Sequence, residues 1–520
     1  MRSRLLVLGA VIFCAAVSCK HAKHQHAKYV VLMVWDGMRP DFVTETGTPN
    51  LWKLAQGGVT FRNHHSFYPT ATNVNGTVMA TGVFPNRSGV IANVEYRPVV
   101  DPRAPIDTAV RENIVRGDQI TAGKYLSAPT IVELLQASGK RTAVAGSKWV
   151  AKLFDRSQER ASEIARKSDA LSGGEAQPTA RELAIQNSLG QFPKREIPNA
   201  KEDAWTTAAL TETMWKNHVA PFSVLWLSDP DFTQHDVAPG SPEALAAMKS
   251  VDACLGKVID ALTTKQVREQ TDILVVSDHG FSTVEHEVDV AALLDAAGFK
   301  AAKQFENEPV PGTILTADSG ATILFYVIGR DEKVTLRLVE WLQQRDFAGP
   351  IFTREKMEGT FSLADAHLDN DDGPDVVMAF RWNDKTNKFG TQGLIDAEGR
   401  AAGHGTHATL SRFDVHNTLI AAGPDFRVGY KSDLASGNID VAATILHIFG
   451  ITPPQPLDGR ILSEAMKDGS NAPAKTETRT LETSRNFTAG TWRQYLKITH
   501  VAGHDYIDEG NASLTSPSTR

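Results

Sequence analysis

From about Tyr29 onward the chain alternates short, nearly unbroken apolar runs with longer stretches in which apolar residues recur every three or four positions. That alternation builds a mainly parallel sheet covered by helices on both faces, so the expected fold class is α/β, a three-layer α/β/α sandwich with inserted subdomains. The runs Val30 to Trp35, Thr142 to Ala145, Phe222 to Leu227, Asp272 to Ser277 and Asn417 to Ala422 predict strands buried on both sides. Ser241-Pro242-Glu243 opens an amphipathic helix running through Leu245, Met248, Val251, Leu255, Val258, Ile259 and Leu262, with Cys254 as a buried structural thiol. Residues of about 155–204 are polar, lack an apolar strand, and read as a helical insertion or lid. A second insertion, about 284–400, predicts a strand at Ala321 to Ile328 and a helix at Val334 to Gln343. A helix follows near Val441 to Phe449. Asn471 to Thr480 is linker-like, and Trp492 to Val501 predicts one last strand. The main domain is therefore drawn over 29–470, with a C-terminal extension over 471–520.

The amino terminus breaks this pattern. Arg2 and Arg4 precede an apolar run, Leu5 to Val17, that is too short to span a bilayer and suits the core of a signal peptide over residues 1–19. It ends in Ala16-Val17-Ser18-Cys19, which resembles a bacterial lipoprotein processing site with a lipid on Cys19. Export follows, to the periplasm or to a lipid-anchored position, with the membrane touched only through that anchor. With Cys14 and Cys19 in the signal, Cys254 is left alone and no internal disulfide is expected. Residues 20–28, with His21, His24 and His26, read as a solvated linker.

Composition adds exclusions. Of 520 residues, 42% are hydrophobic and 22% charged, which excludes a disordered or multi-span membrane chain. A net charge of -7 without a long basic stripe disfavours nucleic acid as a bulk partner.

The predicted strand ends carry the chemistry. Asp36 follows Val34-Trp35; Asp231 and His235 stand four apart in Ser228-Asp229-Pro230-Asp231-Phe232-Thr233-Gln234-His235; Asp278 and His279 adjoin in Ser277-Asp278-His279-Gly280; and Gly403-His404-Gly405-Thr406-His407 offers two imidazoles. Open parallel sheets bind ligands beyond the carboxyl ends of their strands. Each residue alone has a plainer reading, Asp36 as a turn cap for example. Together, three carboxylates and three imidazoles suit zinc better than the all-oxygen shells of magnesium or calcium, and six ligands would hold two ions.

A nucleophile is offered by Pro69-Thr70-Ala71-Thr72-Asn73-Val74-Asn75-Gly76-Thr77, where Pro69 breaks a strand and a short helix runs on to Gly82. Thr72 then lies at a helix N-terminus, a favourable place for phosphate, and nearby cations would activate its hydroxyl. The simple alternative is an N-cap threonine, and Ser66, Thr70 and Thr77 are rivals.

The order Asp36, Thr72, Asp231/His235, Asp278/His279, His407 resembles the alkaline phosphatase superfamily, and within it the type I phosphodiesterase/nucleotide pyrophosphatase branch. The likeness extends across most of 29–465, including Gly89-Val90-Ile91-Ala92-Asn93 and Phe413-Asp414-Val415-His416-Asn417-Thr418. The resemblance implies that Asp231, His235 and His407 hold one zinc, that Asp36, Asp278 and His279 hold a second with Thr72, and that Asn93 contacts a phosphoryl oxygen.

The chain departs from the branch in carrying Val74 where proline is frequent and Ala408 where glycine is. It also carries Lys148, in Ala145-Gly146-Ser147-Lys148-Trp149, where phosphomonoesterases of the superfamily present a lysine to the phosphoryl group; their second cation is replaced by Val150. The function expected is hydrolysis of a small-molecule phosphate ester through a phosphothreonine, monoesters being slightly favoured by Lys148. The alternatives are a phosphodiesterase or nucleotide pyrophosphatase and, from another class, an inactive zinc-binding surface lipoprotein.

Overall fold

The computed structural model describes residues 26–156, 162–469 and 474–515. The expected signal segment, Cys14, Cys19, His21 and His24 lie outside them. The central sheet has nine strands, in the order Tyr430–Ser432, Val59–Phe61, Leu419–Ala422, Thr271–Val276, Tyr29–Trp35, Phe222–Leu227, Thr142–Gly146, Asp169–Ser172 and Glu175–Gln177. The run from Thr271–Val276 to Asp169–Ser172 is parallel. Leu419–Ala422, by contrast, pairs antiparallel with Thr271–Val276.

Strand alternation explains the two cores. Val30, Leu32 and Val34 face a cluster with Met79, Val132 and Ile445, while Val31, Met33 and Trp35 face Leu54, Met248 and Leu255. Successive side chains of one strand thus serve opposite layers, which is why the run carries no polar alternation. Ser241 caps the helix Pro242–Thr264 by accepting from Ala244 N, and within it Cys254 is buried and free. No helix among the described residues is long and apolar enough to cross a membrane.

Four sequence expectations need correction. The 155–204 stretch is not helical throughout: Asp169–Ser172 extends the central sheet in parallel and Glu175–Gln177 closes its edge. These strands have four and three residues, too few to form an apolar run. The strand at Trp492 to Val501 is one of three, since Thr476–Phe487, Gly490–Val501 and His504–Thr515 form an antiparallel sheet. Thr476–Phe487 escaped notice because it is mostly exposed and therefore polar. For the same reason Thr476 to Thr480 is strand and not linker. Finally, the end of the 20–28 segment is docked, with His26 Nδ1 2.5 Å from Asp425 Oδ1 and Ala27 N donating to Asp425 Oδ2 at 2.6 Å.

The 284–400 region holds a six-stranded sheet in which Thr322–Val327 pairs with Ile314–Asp318 and Val376–Phe380, under the helix Glu332–Leu342. The tip between Asp318 and Thr322 reaches the carboxyl end of the parallel strands, where Asn93 N donates to Ser319 Oγ at 2.9 Å and Ala321 N to the His407 carbonyl at 2.9 Å.

At the exit of the first strand, Gly37 has φ 71°, and a Cβ there would stand 2.9 Å from the Phe281 ring and 3.1 Å from Asp231 Cβ. Gly37→Ala is expected to cost about 2–3 kcal/mol, from left-handed backbone strain plus crowding, as read by denaturant unfolding.

Candidate active site

The strand exits converge. Asp36 follows Tyr29–Trp35, Asp278 and His279 follow Thr271–Val276, and Asp231 opens the helix Asp231–Val237 beyond Phe222–Leu227. Spacing of four along that helix brings His235 Nε2 to 3.3 Å from Asp231 Oδ1. His407 arrives just after the second insertion, where Gly405–Thr406 pairs antiparallel with Ser282 and Thr283, and its Nε2 lies 3.5 Å from the same oxygen. His279 Nε2 is 3.6 Å from Asp36 Oδ1, 3.3 Å from Asp278 Oδ2 and 3.9 Å from Asp231 Oδ1. The six expected ligands therefore share one pocket. The tightest triples are Asp231, His279, His407 and Asp36, Asp278, His279, so His279 lies at the seam between two half-sites and His235 joins through Asp231.

Each imidazole is aimed by its other nitrogen. Nδ1 faces a backbone carbonyl in all three: Gly405 for His235 at 3.0 Å, Gly280 for His279 at 2.8 Å and Thr70 for His407 at 2.8 Å. A carbonyl only accepts, so Nδ1 carries the hydrogen and the Nε2 lone pair is left to point inward. Facing those lone pairs are Asp36 Oδ1, Asp231 Oδ1 and Asp278 Oδ2, three buried oxygens without a hydrogen-bond donor. Acceptor faces acceptor across 3.3–3.6 Å. Two ligands at about 2.0–2.1 Å from one tetrahedral zinc stand about 3.4 Å apart, so the donor set fits divalent ions.

Charge follows the same geometry. Burial, then Asp278, pushes the Asp36 carboxyl well above its usual range. Burial also works to raise Asp231, but the Lys148 ammonium holds it well below. Burial, reinforced by His279, keeps His407 far below its ordinary value, and burial lowers His235. Both rings are neutral at neutral pH, the form a metal requires. The outer carboxylate oxygens are satisfied separately: Lys148 Nζ donates to Asp36 Oδ2 at 2.9 Å and Asp231 Oδ2 at 2.7 Å, and Trp226 Nε1 to Asp36 Oδ2 at 2.8 Å.

Thr72 opens the helix Thr72–Thr81, and its Oγ1 lies 3.1 Å from His279 Nε2 and 3.4 Å from Lys148 Nζ. Its rivals are engaged elsewhere: Thr70 donates to the Thr409 carbonyl, Thr77 to Asn73 and Ser66 to Phe67. Asn93 Oδ1 accepts from Asn73 N at 2.7 Å, which leaves the Asn93 amide free to donate beside Thr72. His404 Nδ1 is 3.3 Å from the His235 carbonyl, outside the ligand cluster. Ala408 adopts φ 88°, a backbone conformation that glycine takes without strain, consistent with glycine being frequent there.

Sequence reasoning missed Trp226 and Asn438. Strand alternation could have placed the former beside the Asp36 exit. Asn438, whose Nδ2 donates to the Asp278 carbonyl at 2.7 Å, comes from a distant loop with no motif. A second cluster, His65, His416 and Asp508, also brings ligand atoms within 4.8 Å of one another. The polar atoms of His65 and Asp508 already have partners: His65 Nε2 with Asp508 Oδ1 at 2.9 Å, His65 Nδ1 with the Ser436 carbonyl at 2.9 Å, and Asp508 Oδ2 with Thr499 at 2.7 Å.

Residues 30–383 match the family model for type I phosphodiesterase / nucleotide pyrophosphatase. The chain belongs to that family. Members of the family are metal-dependent hydrolases of phosphoric esters within the alkaline phosphatase superfamily. Among its relatives is ectonucleotide pyrophosphatase/phosphodiesterase family member 7 of Rattus norvegicus, 21% identical over 478 residues, covering 90% of this chain and 93% of that protein. The Homo sapiens member 7 is 22% identical over 427 residues, covering 82% and 80%. Murine family member 5, solved as an inactive threonine-to-alanine variant in complex with AMP, shares the fold with a TM-score of 0.59 at 17% identity, over 85% of this chain and 100% of that one.

His407→Ala should lower bound divalent metal by about one ion per chain, whereas His404→Ala should leave it unchanged, as read by elemental analysis after gel filtration.

Proposed function

We propose that this chain hydrolyses small-molecule phosphate esters through a phosphothreonine on Thr72, with phosphomonoesters slightly favoured. The observation that carries the reading is the position of Thr72 Oγ1, at a helix N-terminus, 3.1 Å from His279 Nε2 and 3.4 Å from Lys148 Nζ. Two zinc ions held by Asp231, His235 and His407 and by Asp36, Asp278 and His279 would lower the proton affinity of the hydroxyl and neutralise phosphoryl oxygens. Thr72 Oγ attacks phosphorus in line, the bond to the leaving oxygen breaks as the new P–O bond forms, and water then cleaves the phosphothreonine, restoring the hydroxyl. Asn93 donates to a nonbridging oxygen.

Lys148 has three N–H bonds. Two are committed to Asp36 and Asp231, and the third donates to Thr72 Oγ1 at 3.4 Å, from where it can turn to a phosphoryl group on that hydroxyl. A monoester carries about two negative charges and a diester about one, so an ammonium at that place attracts the monoester more strongly. A second reading, phosphodiesterase or nucleotide pyrophosphatase, is supported by family membership and by the AMP complex of the murine relative. Export, with residues 1–19 as signal and Cys19 lipidated, a catalytic domain over 29–470 and an extension over 471–520, completes the proposal.

Thr72→Ala should reduce turnover of p-nitrophenyl phosphate by about a thousandfold or more, while retaining metal and the unfolding midpoint. Lys148→Met should lower the ratio of kcat/KM for p-nitrophenyl phosphate to that for its bis ester by about tenfold, equivalent to about 1.4 kcal/mol. An unchanged ratio would select the second reading.

A further inference from the structure

The expected 155–204 insertion contributes a carboxylate that neither the sequence motifs nor the family likeness marks. Asp203, in the helix Ala200–Ala208, is fully buried. Its Oδ1 accepts from Ser147 Oγ at 2.6 Å, Ser228 N at 2.8 Å and Ser228 Oγ at 3.0 Å, and its Oδ2 accepts from Asp229 N at 3.1 Å. No cation pairs with it among the described residues. Burying a carboxylate is costly unless hydrogen bonds on both edges compensate, and here donors from two different strand exits supply them.

Those exits carry the reacting groups. Ser147 precedes Lys148, and Asp229 stands two residues before Asp231. The strands Thr142–Gly146 and Phe222–Leu227 run side by side in register, and the last backbone bond between them is Ser147 N to the Trp226 carbonyl at 3.1 Å. Beyond it, Ser228 N donates to Ser147 Oγ at 2.9 Å, and Asp203 accepts from both of these residues and from Asp229, flanked by Asn199, which donates from N to Asp229 Oδ2 at 2.7 Å and from Nδ2 to Ser228 Oγ at 2.8 Å. The product of that clamp is the 2.7 Å contact of Lys148 Nζ with Asp231 Oδ2.

We infer that Asp203 is a positioning residue, which fixes the spacing of Lys148 from Asp231 and thereby both metal retention at Asp231 and discrimination between ester charges. The inference rests on the roles proposed above for those two residues. Only a carboxylate fits: an asparagine has one acceptor edge, so it sets an amide donor either against Asp229 N or against the serine donors.

The test compares Asp203→Asn, Ser147→Ala and Lys148→Met in the full chain, with two readouts besides the unfolding midpoint. Chelator competition with zinc alone reads metal retention, and the ratio of kcat/KM for p-nitrophenyl phosphate to that for its bis ester reads discrimination. Asp203→Asn is expected to weaken one of two zinc sites about tenfold, as outer-sphere substitutions do, and to lower the ester ratio about fivefold. Ser147→Ala is expected to lower the ratio about twofold to threefold with zinc retained, since three of four donors remain. Adding Asp203→Asn to Lys148→Met should produce no further change of ratio. Asp203→Asn within twofold of wild type in both readouts would overturn the inference. If Lys148→Met leaves the ratio unmoved, the monoester reading fails, and zinc retention alone then decides the role of Asp203. Should Asp203→Asn not fold, an unchanged ratio in Ser147→Ala overturns the inference instead.

Discussion

Three carboxylates buried at the ends of adjacent strands repel one another in surroundings that screen charge poorly, and the architecture of the site answers that repulsion. Asp36, Asp231 and Asp278 are fully buried. One ammonium, on Lys148, reaches two of them from the side. Their inward oxygens face imidazole nitrogens and have no hydrogen-bond partner among the described residues. Such an arrangement is tolerable only where divalent cations belong, so the same charges that burden the fold define its chemistry.

The parts that supply charge and the parts that aim it come from different places. The central sheet delivers the carboxylates at neighbouring exits because its strands are parallel and in register. The two insertions supply alignment. One brings Asn199 and Asp203 beneath the Lys148 and Asp231 exits. The other brings the Ser319 tip to brace Asn93, and just beyond it Gly405 and Thr406 set His407.

Much of this was legible in the amino-acid order. The doubly buried strands appear as unbroken apolar runs, and a charged residue after one such run reads as a turn cap until several exits carry one and together read as a ligand set. Thr72 was legible because Pro69 and Gly82 bracket its helix. Illegible were the features whose burial depends on distant partners. Asp169–Ser172 joins the central sheet with only Leu171 and Ala170 to mark it, because its neighbours provide the cover. Thr476–Phe487 is polar because it faces solvent. Asp203 and Asn438 carry no motif, since what each does is set by where a remote helix or loop comes to rest.

The carbonyl contacts of His235, His279 and His407 have a consequence for the speed and cost of assembly. A ring whose far nitrogen is already tethered to main chain cannot turn, so its rotational freedom is surrendered when the polypeptide folds and is not surrendered again on ligation. The affinity of the pocket is then governed by dehydration of the incoming ion and by charge, with little reorganisation of the protein around it.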